Sequence, residues 1–234
     1  MTRVSLSWLN LKPNMDLNGD KENLSLYLKR LRKIFPEYNH IPNTIFEQWI
    51  MGLHDDGFTI NNYAWIDFTK VEFELLEWSN SNFKQLRVIK EFENYVSAKE
   101  SFNDIRDFGC SKEAEQNWYK KGTWLTPPII IETNSFEEIP KWSEIKGDFQ
   151  LVEGHTRLGY LKSLIKQNKE RGIKLATKHL VYVMRKKKIF SSPALLQEND
   201  YKPLSDEEIN KAKNFRKSLS KEELKKLDDL LDDY

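Results

Sequence analysis

The sequence predicts an α+β (mixed α/β) fold: a small sheet-and-helix core with added N-terminal helices and a C-terminal helical tail. Three observations lead there. Short apolar runs at 129–131, 149–152 and 179–184 have the length and composition of buried strands. Around them, apolar residues recur every three or four positions, the period of an amphipathic helix. The chain has only 9 Gly and 8 Pro in 234 residues and no internal repeat, so punctuation is sparse. The expected organisation is an N-terminal helical region over 1–62, a core over 63–190 and a helical tail over 191–234.

Residues 22–35 place Leu24, Leu28, Leu31 and Phe35 on one helical stripe, and Pro36 stops the helix. A short helix follows over 43–51, with Ile45, Trp49 and Ile50 inward and Gly52 at its end. In 63–78, Ala64, Ile66 and Phe68, then Val71, Phe73 and Leu75, alternate with polar or aromatic residues, which predicts two strands or a strand leading into a helix. Phe83, Leu86, Ile89, Phe92 and Val96 predict one long helix over 82–102. Another helix spans 111–121, opened by Ser111 and closed by Gly122. Strands at 129–132 and 148–153 come next, and a helix starting near Thr156 or Arg157 runs to Arg171, with Gly172 as terminator. A strand covers 179–184. In the tail, Ser205 with Glu208 and Ser220 with Glu223 match the capping box, which predicts a helical hairpin.

Composition excludes several classes. Lys+Arg at 37 against Asp+Glu at 36 leaves a net charge of +1, which fits neither a uniformly basic DNA coat nor an acidic solvating tail. The single Cys110 allows no internal disulfide and no cysteine-based zinc site. No run approaches 18 apolar residues, so no membrane partner is expected, and with no apolar leader-like stretch at the start the expected location is cytoplasmic. Seven tryptophans stand out. Most read as core anchors, with Trp118, Trp124 and Trp142 as candidates to stack on a base.

The chemistry concentrates at residues 153–157. A strand ending in Glu153, a turn at Gly154 and a helix start build an anion site: the free N–H groups and the dipole of the helix N-terminus attract negative charge, and Arg157 adds a guanidinium fork. Gly154, His155, Thr156 and Arg157 are the candidate phosphate-binding residues. Glu153 and His155 are the candidate catalytic ones, His155 through proton transfer and Glu153 by orienting Arg157 or helping to hold a divalent metal. A glycine between a strand and a helix is also ordinary α/β architecture, and an arginine on a first helical turn is often only solvated.

The string Phe149-Gln-Leu-Val-Glu-Gly-His-Thr-Arg-Leu-Gly-Tyr-Leu161 resembles the strand–GxxR–helix motif of the ParB/sulfiredoxin superfamily, in its members with an E-G-H-T-R type of core. Upstream, the helix ending at Gly122, followed by Pro127, Pro128 and Ile129–Ile131, is similar to that family's approach to its first strand. The resemblance covers about residues 110–185. It implies a loop that holds the phosphates of a nucleoside di- or triphosphate with Mg²⁺, in a nucleotide hydrolase or phosphotransferase. It does not fix the reaction. Sulfiredoxins carry a cysteine directly after the motif glycine, where this chain has His155. The related serine kinase uses an upstream glutamate, for which Glu113 and Glu115 are unaligned candidates. ParB proper adds a helix-turn-helix domain that the residues after Met184 are too few to build.

Two alternatives accompany this reading. From Lys162 to Lys188 there are ten Lys/Arg against one acid, Glu170. This field, with Lys162, Lys166, Arg185, Lys186, Lys187 and Lys188 as candidate contacts, suits DNA and a DNA-binding or nuclease-like accessory protein of a mobile element or phage-related locus. It equally suits a solvated surface, or pairing with Asp228, Asp229, Asp232 and Asp233. The other alternative is a non-catalytic module that forms a homodimer or binds a protein through its C-terminal helices. His54-Asp55-Asp56 reads as a turn more readily than as a metal site, and the metal ligands stay unknown.

Overall fold

The structure, a computed structural model, describes residues 4–187. The expected tail with its two capping boxes, and Lys188, lie outside the described residues. The described elements are α+β. Helices α1 (Leu6–Asn10), α2 (Leu24–Ile34), α3 (Asn43–Ile45), α4 (Met51–Leu53) and α5 (Gly57–Tyr63) precede strand β1 (Val71–Ser79). Then come α6 (Lys90–Glu100), α7 (Lys112–Lys121), β2 (Ile129–Glu132), β3 (Phe149–Glu153), α8 (His155–Arg171) and β4 (Lys178–Lys186). The strands form one mixed sheet in the order β1-β4-β2-β3. β4 is antiparallel to β1 and parallel to β2, and β3 is antiparallel to β2.

The sheet separates two cores. Side chains of a strand alternate between faces, and here Ile129, Ile131, Val152 and Met184 join one cluster while Ile130, Leu151, Val181 and Val183 join the other. The first cluster contains Trp8, Tyr27, Phe46 and Trp49, so the N-terminal helices share a core with the sheet. The second is built with Trp118, Trp124, Leu158, Leu161 and Leu164, from α7, the turn after it and α8. Gly159 allows α8 to cross α6 closely, since a Cβ there would lie 2.4 Å from Lys99 Cβ and 2.8 Å from the Val96 carbonyl oxygen.

Helices with local caps follow their sequence signals. Asn23 caps α2 through the Leu26 N–H, and Ser111 caps α7 through the Ala114 N–H. Gly122 and Gly172 end α7 and α8 in the left-handed region, each with φ of 66°.

Three expectations are corrected. The helical stretch over 43–53 passes through Gly52 to Leu53, by way of a π-turn at Phe46–Ile50. Residues 64–68 form no strand, because α1 takes their polar groups: Ser5 N–H donates to the Ala64 carbonyl, the Ser5 and Ser7 hydroxyls to the Ile66 carbonyl, and Phe68 N–H to Ser7 Oγ. The long helix over 82–102 is in fact only Lys90–Glu100. Ahead of it, Arg87 is drawn onto the edge of β3, its N–H donating to the Phe149 carbonyl at 3.0 Å and its carbonyl accepting from Leu151 N–H at 2.8 Å. The apparent stripe therefore feeds two cores: Phe83 and Val96 enter the second, and Ile89 the first.

Candidate phosphate-binding loop

β3 delivers Glu153 to the start of α8, and Gly154 makes the turn with φ of 105°. Only glycine fits, because a Cβ would come within 2.5 Å of Pro128 Cβ and 3.2 Å of the Arg157 guanidinium. The helix begins at His155, one residue before the expected start, and no side chain caps its N-terminus. Its first-turn N–H groups and dipole are thus left to attract an anion.

Arg157 turns back over the loop. Its Nη2 pairs with the Glu153 carboxylate and donates to Gln48 Oε1 at 2.8 Å, while Nη1 donates to the Thr126 carbonyl at 3.1 Å. Glu153 thus forms an ion pair with Arg157 four residues on. Burial opposes both charges, pushing the Glu153 carboxyl up and the Arg157 guanidinium down, and the partner's charge works against each shift. An arginine stays protonated through such a shift.

His155 lies against Phe92 of α6, ring centroids 4.3 Å apart. Burial, then the nearby Arg157 charge, pushes its pKa down to about 4, so it is neutral at pH 7. Its buried Nε2 has no hydrogen-bond partner among the described residues. The Thr156 hydroxyl shares a 2.8 Å hydrogen bond with the Tyr95 hydroxyl. The loop therefore gathers Gly154, His155, Thr156 and Arg157 as expected. Spacing gave no sign of Gln48, Phe92, Tyr95 or Thr126, which reach the loop only through the tertiary fold.

The basic candidates fall into two neighbourhoods. On α8, Lys162 lies 3.7 Å from Glu100 and Lys166 is exposed. At the end of β4, Arg185 pairs with Glu74 and Glu132 at 2.9 and 3.0 Å, Lys186 pairs with Glu137 at 2.6 Å, and Lys187 donates to the Thr69 carbonyl. Carboxylates from other parts of the chain thus reduce the field that the linear count suggests.

Two of the proposed stacking residues are unavailable. Trp118 and Trp124 are buried, and the Trp124 indole N–H donates to the Leu180 carbonyl at 2.7 Å. Trp142 is exposed, but it lines a groove with Trp65 and residues 137–141 rather than the loop. His54 stacks on Trp8 at 4.7 Å, with Nε2 bonded to the Trp8 carbonyl and Nδ1 to Asp55. His179 is bonded to Thr123 and Asn80. Among the described residues, no three His, Cys, Asp or Glu side chains cluster to hold a metal ion. No family model, curated protein or solved structure matches the chain.

Proposed function

We propose that the chain is a ParB/sulfiredoxin-like protein whose 153–157 loop grips the phosphates of a nucleoside di- or triphosphate, as a nucleotide hydrolase or phosphotransferase. The observation that carries this reading is the orphaned His155 Nε2 beside Arg157 at an uncapped helix N-terminus. A buried polar atom without a partner is costly, and an anion at this point supplies an acceptor to the imidazole, the backbone N–H groups and the guanidinium together. Neutral His155 serves as a hydrogen-bond donor rather than as a charge. Glu153 competes with the phosphate for Arg157, and a bound phosphate frees its carboxylate to accept a proton beside the reacting group. With no cluster of His, Cys, Asp or Glu to hold it among the described residues, the Mg²⁺ would arrive on the nucleotide.

Thermal unfolding of the full chain with ADP, ATP, CTP and GTP, each with and without Mg²⁺, tests the reading. A nucleotide at about 100 times its Kd stabilises the fold by about 2.7 kcal/mol. The shift is expected to be lost in His155→Phe, which keeps a ring against Phe92 but has no donor, and weakened in Arg157→Lys, with both variants still folded by circular dichroism. Absence of a shift with every nucleotide would falsify it.

A further inference from the structure

The outer side of β1 carries a row of free backbone groups whose positions follow from the register. Lys70 faces Lys187 in the register that pairs Val71 with Lys186, and the Lys187 N–H donates to the Lys70 carbonyl at 2.8 Å. Bonded and non-bonded residue pairs alternate along an antiparallel ladder. Glu72, Glu74, Leu76 and Trp78 are therefore the residues bonded to β4, and the N–H and C=O groups of Val71, Phe73, Leu75, Glu77 and Ser79 point away from it. The facing strand agrees. Leu180 and Tyr182, opposite Glu77 and Leu75, turn their backbone to the other side, where the Leu180 carbonyl accepts from the Trp124 indole at 2.7 Å and the Tyr182 N–H donates to the Pro128 carbonyl at 2.9 Å.

Both ends of the outward row are closed. Val71 is buried, and the Ser79 N–H donates to Asn82 Oδ1 at 2.9 Å. Between them Phe73, Leu75 and Glu77 have no backbone partner on the outer side among the described residues. Leu75, in the middle, is 47% exposed, and Leu180, diagonally beside it on β4, is 43% exposed. Charges or a proline commonly guard such an edge. Here the strand has no proline, and Glu74 and Glu77 are each paired at 2.9 Å within the sheet, to Arg185 and Lys178 of β4.

We propose that β1 pairs with β1 of a second copy of this chain, antiparallel about a two-fold axis at Leu75. The open row is symmetric about that residue. Leu75 then meets Leu75 of the second copy and Phe73 meets Glu77, each pair exchanging two backbone hydrogen bonds. Glu74 lies opposite Leu76 and Glu72 opposite Trp78, so no glutamate directly faces another. An axis at Glu74 sets two glutamates face to face, and one at Leu76 pairs Phe73 with Ser79, whose N–H is already taken. A contact of this length is short, so the association depends on concentration. It is independent of the function proposed for the 153–157 loop.

Sedimentation velocity of the full chain, from dilute solution up to about 1 mM, the weak end of specific association, tests the pairing. A reversible shift from monomer to dimer is expected. Leu75→Lys sets two cations face to face at an exposed position, and Leu75→Pro deletes an outward N–H without touching a bond to β4. Each is expected to leave a monomer that is folded by circular dichroism. In a Cys110→Ser background, mild oxidation is expected to link Leu75→Cys chains, whose Cα atoms meet at about 5.5 Å, and to leave Glu77→Cys chains unlinked. A chain that stays monomeric throughout overturns the inference, whatever else occupies the edge. So does a dimer that survives Leu75→Lys, or one that links through Glu77→Cys instead, because either places the contact elsewhere.

Discussion

Gln48 and Arg157, 109 residues apart in the chain, meet across the fold: the guanidinium donates to Gln48 Oε1 at 2.8 Å, while Gln48 Nε2 donates to the Pro127 carbonyl at 3.2 Å. One amide thereby ties the helical N-terminal region both to the loop and to the turn before β2. Gln48→Leu breaks both bonds and leaves the half-buried guanidinium with one partner fewer. The expected cost is about 1–3 kcal/mol, read as a lower urea midpoint at unchanged m-value.

The ion pair at the loop gives a second expectation. Glu153→Gln keeps the side-chain shape but leaves Arg157 without its counter-charge. Because both side chains keep a fifth to a quarter of their surface exposed, the loss is expected to be about 1–3 kcal/mol, below that of a fully buried pair. Inorganic phosphate is expected to restore more stability to this variant than to the parent, since it replaces the missing charge. Equal phosphate responses in differential scanning calorimetry argue against Arg157 as an anion ligand.

Acid sensitivity follows from His155 and His179, both pushed by burial from 6.5 to about 4. Between those values the unfolded chain binds protons that the folded chain refuses. Stability is therefore complete above pH 6.5 and falls on acidification toward pH 4, by up to about 1.4 kcal/mol per pH unit for each histidine. Glu153 acts in the opposite sense just above its ordinary range, because its raised carboxyl takes up a proton in the folded state first. Urea unfolding at pH 7.5, 6 and 5 reads the slope. His155→Phe, which keeps a ring against Phe92, is expected to remove the contribution of His155.

Glycines with similar backbones are expected to differ sharply. Gly172→Ala places its Cβ in open space at φ of 66° and should cost about 1 kcal/mol. At Gly122, also φ of 66°, a Cβ meets Leu175 Cα and the Lys174 carbonyl oxygen at 2.7 Å, so Gly122→Ala should cost at least about 2 kcal/mol more. Gly159→Ala, a change that favours an isolated helix by about 1 kcal/mol, should instead destabilise by forcing α6 from α8. Chemical denaturation of the three variants checks the order.

The tryptophans divide in the same way. Trp118→Ala removes a ring packed edge-on against Phe108 and Trp124 and should cost about 3–5 kcal/mol. Trp142→Ala, at a 43% exposed position, should cost under about 1 kcal/mol while removing the fluorescence most accessible to acrylamide.

What the sequence made legible follows the range of the interactions involved. Ser111 and Gly122 bound α7 through bonds to residues three or four positions away, so reading them required no fold. Gly154 through Arg157 were visible for the same reason, as a strand end, a turn and a helix start. Residues 64–68 alternate like a strand, yet their polar groups are claimed by Ser5 and Ser7, about sixty residues earlier. Residues 82–89 carry a helical stripe, yet Arg87 is claimed by β3. At the loop, Tyr95 reaches Thr156 across 61 residues and the Thr126 carbonyl reaches Arg157 across 31, and no local spacing encodes either contact.

The Arg87 bridge also bears on how copies of the sheet could associate. A sheet with two open edges can add neighbours on both sides and grow without limit. Here Arg87 occupies part of the β3 edge, so among the described residues the nine-residue β1 is left as the long strand with one side unpaired. Edge-to-edge pairing through β1 alone would close at two copies, a dimer rather than a fibre.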